Sequence, residues 1–174
     1  MVDIVQPFRL AFATDAETAA VASTSKALTP SNLASGRACF DMVLSADQTG
    51  IASNTATKVA FNTSVTNTGG YFDTGNNRWV PPAGRVRLSA NIRLGNVTAL
   101  GTCVVQIRKN GSVISGVNQS GFSDTAGLTG YVSVSGVVIA NGTDYFEVWV
   151  TAPSATTVTV SNTGTISSFS GEQI

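Results

Sequence analysis

A strict two-residue alternation from Gly84 to Leu94 is the strongest constraint on how this chain can fold. Val86, Leu88, Ala90, Ile92 and Leu94 fall on one side, and Arg85, Arg87, Ser89, Asn91 and Arg93 on the other. A strand points successive side chains to opposite faces, whereas a helix would scatter this pattern around its axis. The same period recurs where Phe40, Met42 and Leu44 alternate with Asp41, Val43 and Ser45. It recurs again where Cys103, Val105 and Ile107 alternate with Val104, Gln106 and Arg108. In a third stretch Phe146, Val148 and Val150 alternate with Tyr145, Glu147 and Trp149. Asn110-Gly111 and Asn141-Gly142 mark tight turns, since both residues of the pair accept positive φ. Tyr131 to Ile139 reads as another strand, with Gly136 as a bulge. Val158 and Val160 form one more, and Ser167 to Ile174 closes the chain. Eight or more short strands, turned about every ten residues, predict an all-β sandwich, jelly roll or barrel.

The first 36 residues have a different character. Thr14-Asp15-Ala16-Glu17 has the spacing of a capping box, in which Thr14 and Glu17 satisfy each other's backbone donors. Thr29 precedes Pro30 as an N-cap precedes a first-turn proline, and Gly36 follows as a stop. Two short helices are expected, over 15–22 and 30–35, joined by Ser23-Thr24-Ser25-Lys26. Neither is long enough to be stable alone. The organisation expected is therefore a helical segment at 1–36 and a β domain at 37–174.

Composition removes several kinds of chemistry. Ten basic and ten acidic residues cancel, so there is no electrostatic case for nucleic acid or an anionic membrane. The chain has no histidine, the commonest general base and metal ligand, and so no Ser-His-Asp or Cys-His arrangement. With two cysteines and no histidine, a zinc site would need carboxylates for half its ligands. Only 11% of residues are charged, against about 25% in ordinary soluble proteins. Polar surface comes instead from 22 Thr, 19 Ser and 12 Asn. No enzyme activity, cofactor or metal is expected. Cys39 and Cys103 could pair, but their alternating settings favour buried free thiols. The start, MVDIVQPFRL, carries Asp3 and no apolar run, so no signal peptide is expected. The longest apolar stretch, Val137 to Ala140, is too short to span a bilayer.

Longer motifs carry a resemblance. Val59 to Gly84 reads VAFNTSVTNTGGYFDTGNNRWVPPAG. Phe61-Asn62, then Asn67 with Gly70-Tyr71-Phe72-Asp73, then Trp79 and Pro81-Pro82-Ala83-Gly84 resemble the signature of the complement-1q-like and tumour-necrosis-factor-like jelly rolls. Val105 to Gly111 resembles that family's strand ending in Lys-Asn-Gly. Val138 to Val150, VIANGTDYFEVWV, resembles its Gly-Asp-x-Val-x-Val strand, with Thr143 inserted. Phe169-Ser170-Gly171 and Ile174 resemble its terminus. The similarity spans about residues 39–174 and departs at Val86, Leu88 and Glu172, where the family has aromatics. It implies an antiparallel jelly-roll sandwich, with Phe61, Tyr71, Trp79 and Phe169 filling the sandwich or a seam between subunits, and a homotrimer. Asp144 falls where some members place a calcium-associated acid, but one acid does not make a site of six to eight oxygens.

Thr14 to Ser35, TDAETAAVASTSKALTPSNLAS, resembles a short module of bacteriophage tail-fibre proteins, through Ser25-Lys26-Ala27-Leu28-Thr29-Pro30 and Leu33. That resemblance implies an anchoring segment, with Thr14, Glu17, Lys26, Thr29, Pro30 and Leu33 contacting other virion proteins or trimerising. Together the two resemblances imply a non-enzymatic virion fibre or short tail-fibre tip, made in a bacterial cytoplasm. Its partners would be itself and a host surface glycan or protein. The alternative is a capsid decoration, cement or head-fibre protein, since 174 residues leave no shaft. Candidate ligand or interface aromatics are Tyr71, Trp79, Tyr131, Tyr145 and Trp149. Val104, Tyr145 and Trp149 are poor choices for a solvated face, so self-association is expected to cover them.

Overall fold

Two antiparallel sheets face each other, and the alternations named above decide which residues meet between them. The structure is a computed structural model that describes residues 37–97, 101–123, 128–153, 159–160 and 167–174. The expected helices, and with them Thr14, Glu17, Lys26, Thr29, Pro30 and Leu33, lie outside the described residues.

The first sheet contains β1 (Cys39–Val43), β3 (Thr63–Thr68), β6 (Gly84–Val97), β9 (Leu128–Ala140), β11 (Thr159–Val160) and β12 (Ser168–Gln173). β6 lies between β9 on one side and β12 with β11 on the other, and the sheet continues through β1 to β3. The second sheet contains β2 (Thr57–Lys58), β4 (Phe72–Asp73), β5 (Arg78–Trp79), β7 (Gly101–Lys109), β8 (Ser112–Ser123) and β10 (Phe146–Thr151). Its order is β4-β5-β10-β7-β8, with β2 also against β10. Three strands run 12 to 14 residues, longer than the short strands expected.

The apolar rows from Phe40 to Leu44, Val86 to Leu94, Cys103 to Ile107 and Phe146 to Val150 face the space between the sheets, and Val158 lies outside the described residues. Phe40, Met42 and Leu44 from the first sheet, the β6 row from Val86 to Leu94, and Phe169 are all buried. They meet Cys103, Val105, Ile107, Phe146, Val148 and Val150 from the second. At one end the filling is aromatic. Phe40 lies 4.7 Å from Trp79 and 4.7 Å from Phe169, and 5.2 Å from Phe72, between ring centroids. Trp79 continues to Phe146 at 6.3 Å, and Phe169 to Phe61 at 6.0 Å. Phe61, Trp79 and Phe169 thus fill the sandwich, not a seam between subunits, and Tyr71 packs partly buried against them. Trp79's Nε1–H finds no acceptor among the described residues. That costs about 1–3 kcal/mol, which burial of the ring and its aromatic contacts offset at about 1.5–3 and 0.5–1.5 kcal/mol per pair.

Gly136 is not a bulge. Its register partner is Leu88, and pairing runs without a break from Ala140 to Gly130. A Cβ at Gly136 would lie 2.7 Å from Val117 Cγ2 on β8, so this strand glycine marks a close approach across the side of the sandwich. Gly171 does comparable work between Phe40 and Leu88 on flanking strands. A Cβ there would lie 2.6 Å from Phe40 Cε1 and 2.9 Å from Leu88 Cδ2.

Gly171→Ala is therefore expected to lower unfolding stability by about 1–3 kcal/mol, read from the urea midpoint at constant slope. Adding Phe40→Leu should recover part of the loss and make the pair non-additive. Strict additivity would show that the ring is not what Gly171 accommodates.

Candidate functional site

The five aromatics singled out from sequence do not form one site. Trp79 is fully buried and Tyr71 leans on the core. Tyr145 and Trp149 lie half-buried on the outer face of the second sheet, and Tyr131, at 59% exposure, lies on the outer face of the first.

On the outer face of the second sheet the chain covers its own aromatics. The Arg108 guanidinium lies over the Trp149 ring at 4.4 Å and is held by Gln106 Oε1 at 2.9 and 3.1 Å. Trp149 Nε1–H donates to Glu147 Oε2 at 3.1 Å, and Lys58 Nζ pairs with Glu147 Oε1 at 2.9 Å. The register causes this, since Trp149 sits opposite both Lys58 and Gln106, and Glu147 opposite Arg108. Arg78 lies over Tyr145 at 4.8 Å and pairs with Asp73 at 3.3 Å. Cation–π stacking by arginines of the same chain thus covers part of both rings, which stay half-buried. Val104 is half-buried beside them.

Asp144 is the most heavily engaged carboxylate. Lys109 Nζ reaches Oδ2 at 2.8 Å, Asn110 Nδ2 donates to Oδ1 at 2.7 Å, and the Asn141 N–H donates to Oδ2 at 2.9 Å. Asn110 returns a bond by accepting the Tyr145 N–H at 3.0 Å. The two Asn-Gly turns predicted from sequence are here tied to one another through a single acid. The Lys109 ammonium hydrogen-bonded to it holds the Asp144 carboxyl below the ordinary range, with Asn110 and the Asn141 N–H adding to the effect against desolvation. This carboxylate joins two turns through a lysine, an asparagine amide and a backbone N–H. Among the described residues no three His, Cys, Asp or Glu gather as a metal site would require.

The open surface is the outer face of the first sheet. Tyr131, Val137 and Ile139 stand on β9, exposed by 59, 45 and 71%. Opposite them on β6 are Arg93, Arg87 and Arg85. Farther across the face, a groove of about 330 Å³ is lined by Asp41, Cys39, Thr66, Ser89, Ser170 and Glu172 among others. Glu172 pairs with Arg87 at 2.9 Å, and the Asp41 carboxylate has no ion pair or hydrogen bond among the described residues. Cys39 is half-exposed on this face and donates its S–H to Thr68 Oγ1 at 3.4 Å, whereas Cys103 is buried in the core side of the other sheet. Both thiols are free, and Cys39 is not buried as its neighbours suggested. Burial pushes the Cys103 thiol up. Sequence reasoning missed Val137 and Ile139. Their signal was there, since Val137 to Ala140 is apolar on both phases of a strand whose inner phase already fills the core.

With this geometry in hand, solved structures supply the comparison. The globular domain of zebrafish complement 1qA matches with a TM-score of 0.55 at 13% identity, over 79% of this chain and 97% of that one. Murine APRIL matches with a TM-score of 0.55 at 15% identity, over 79% of this chain and 99% of that one. The fold is the complement-1q and tumour-necrosis-factor jelly roll. No protein-family model matches the chain, and no curated protein matches it in sequence. The jelly roll expected from the Phe-Asn, Lys-Asn-Gly and terminal Phe-x-Gly motifs is therefore the fold observed, at an identity that carries the architecture and nothing finer.

Asp144 sets a pH dependence. Its carboxyl is held low in the fold, so the native state takes up this proton less readily than the unfolded chain. The stability it contributes is complete above the unfolded value of about 4 and is lost as pH falls from there through the folded value. Asp144→Asn should flatten the acid limb of stability against pH, leaving the part that Asp73 contributes, whose carboxyl its Asn76 hydrogen bond also holds low. Urea midpoints between about pH 6 and pH 3 test this, and an unaltered acid limb would contradict it.

Proposed function

We propose that this chain is a non-enzymatic, homotrimeric head domain that works by presenting a surface. The observation that carries the reading is the exposed stripe of Tyr131, Val137 and Ile139 on β9. Three large apolar residues on one outer face are costly in water and suit a covered surface. The same face is basic along β6, with Arg85, Arg87 and Arg93, and acidic at Asp41 and Glu172. A heterologous contact that turns the basic, apolar side of one copy onto the acidic groove of the next satisfies both, and closes into a ring. Domains of this fold are often trimeric, which supports this arrangement.

The finer reading is a bacteriophage virion fibre or short tail-fibre tip, with residues 1–36 anchoring the head to the particle. It rests on the tail-fibre-like module from Thr14 to Ser35. In this reading the protein is made in the host cytoplasm and resides on the virion. Its outward loops and neutral Ser, Thr and Asn surface meet host glycan or protein, with trimerisation multiplying each weak contact. The second reading is a capsid decoration or head-fibre protein.

Light scattering after size exclusion should give the mass of three chains. Ile139→Glu should reduce it to one chain with an unchanged circular dichroism spectrum, because Ile139 contributes nothing to the core. A single-chain mass for the unaltered protein would overturn the trimer. Antibody-gold labelling of particles then separates the finer readings, with label at the tail tip supporting attachment and label over the shell supporting decoration.

A further inference from the structure

Two Asn-Gly steps converge on Asp144, and the fold holds their side-chain amides in opposite senses. Asn110 uses both ends of its amide, donating from Nδ2 to Asp144 Oδ1 at 2.7 Å and accepting the Tyr145 N–H on Oδ1 at 3.0 Å. Asn141 is exposed, and its Oδ1 gathers three donors. These are the Thr143 N–H at 2.8 Å, the Thr143 hydroxyl at 3.0 Å and the Asp144 N–H at 2.8 Å. Its Nδ2 donates to no group among the described residues. Gly142, which follows, is exposed at φ +91° and has no side chain to shield its nitrogen.

We propose that Asn141-Gly142 is a self-modification site at which the folded chain deamidates, while Asn110-Gly111 is protected. The Gly142 nitrogen, giving its proton to water or hydroxide, attacks Asn141 Cγ and forms a new C–N bond. Negative charge collects on Oδ1. The Cγ–Nδ2 bond then breaks, and Nδ2 leaves as ammonia with a proton from water. A water molecule opens the resulting succinimide at one of its two carbonyls, giving aspartate or isoaspartate at position 141. One water enters, one ammonia leaves, and nothing is oxidised or reduced.

The hydrogen bonds decide which step reacts. Three donors already aimed at Asn141 Oδ1 stabilise the oxyanion as it forms, as preorganised donors do in acyl transfer. The departing nitrogen is unencumbered. At Asn110 the departing nitrogen is instead held by a charged acceptor, and turning it strips Asp144 of a partner. A hydrogen bond of that kind slows Asn110 by roughly tenfold or more.

The product alters the junction that it belongs to. A carboxylate at position 141 stands three residues from Asp144 and competes for the single lysine, Lys109, that holds it. The isoaspartate form also lengthens the backbone beside the N–H that bonds Asp144 Oδ2. The site therefore changes charge by one unit with time, and it does so at the joint between two turns.

Peptide mapping by mass spectrometry, with isoaspartate detection, tests this on the full chain incubated in mildly alkaline buffer. Asn141 should convert roughly tenfold or more faster than Asn110 in the folded protein. In the urea-unfolded chain the two rates should converge, because both are the same dipeptide. Asn141→Ser, which keeps a side-chain acceptor for the turn, should remove the modification without changing the circular dichroism. Equal rates in the folded state, faster loss at Asn110, or a folded Asn141 that stays intact while both react in urea would each overturn the proposal.

Discussion

The contact on which the rest depends is the aromatic bridge between the sheets. Phe40 and Phe169 belong to β1 and β12 of one sheet, and Phe72, Trp79 and Phe146 lie in or open β4, β5 and β10 of the other. Their centroid distances of 4.7 to 6.3 Å fix how far apart the two sheets stand at this end. Interiors packed at this density transmit small changes in volume. That is why one missing Cβ, at Gly171, is a requirement of the bridge and not a weakness in the strand. It is also why Trp79 retains a donor without an acceptor among the described residues. The ring's position between Phe40 and Phe146 is worth more than the lost hydrogen bond.

At the other level of organisation, polar side chains do what the core cannot. The β7–β8 turn and the loop that leads into β10 are adjacent because β7 and β10 pair from Lys109 opposite Phe146 onward. Apolar burial does not specify how two exposed turns should meet. Asp144 specifies it, with a lysine, an asparagine amide and a backbone N–H all directed at one carboxylate. On the outer face of the second sheet, the Arg108–Trp149–Glu147–Lys58 chain of contacts does the same for a row that would otherwise be a poor solvent face.

This division explains what could be read from the sequence. The inward rows were legible because period two and burial are the same information: Val86 to Leu94 is buried at every second position, as written. The Asn-Gly turns were legible because positive φ at Asn110 and at the glycines of both turns is a local requirement. Gly136 was misread because a glycine within a strand signals either a bulge or a close approach, and the deciding neighbour, Val117, is 19 positions away and on another strand. The arginines over Tyr145 and Trp149 could not be read from the sequence for a similar reason. Alternation shows that a residue faces outward but not that Arg78 or Arg108 will be laid over it, since that depends on register across strands. The candidate aromatics scattered because residue type selects what can stack, whereas topology decides what is together. The Val137 to Ala140 run was weighed as a membrane span when its meaning was a strand apolar on both faces.

These features bear on function through what the outer faces carry. On the first sheet a groove is lined by Ser89 and Ser170 together with Asp41 and Glu172. The shifted carboxylates, Asp73 and Asp144, are held low by hydrogen bonds that tie loops together. Besides Val65 on β3 and Val113 on β8, the exposed apolar residues include Tyr131, Val137 and Ile139 along β9, a strand whose inner phase is locked into the core. A line of side chains fixed in this way suits recognition by another surface of matching shape. The proposed interface rests on the same alternation that builds the sandwich, applied to its second face.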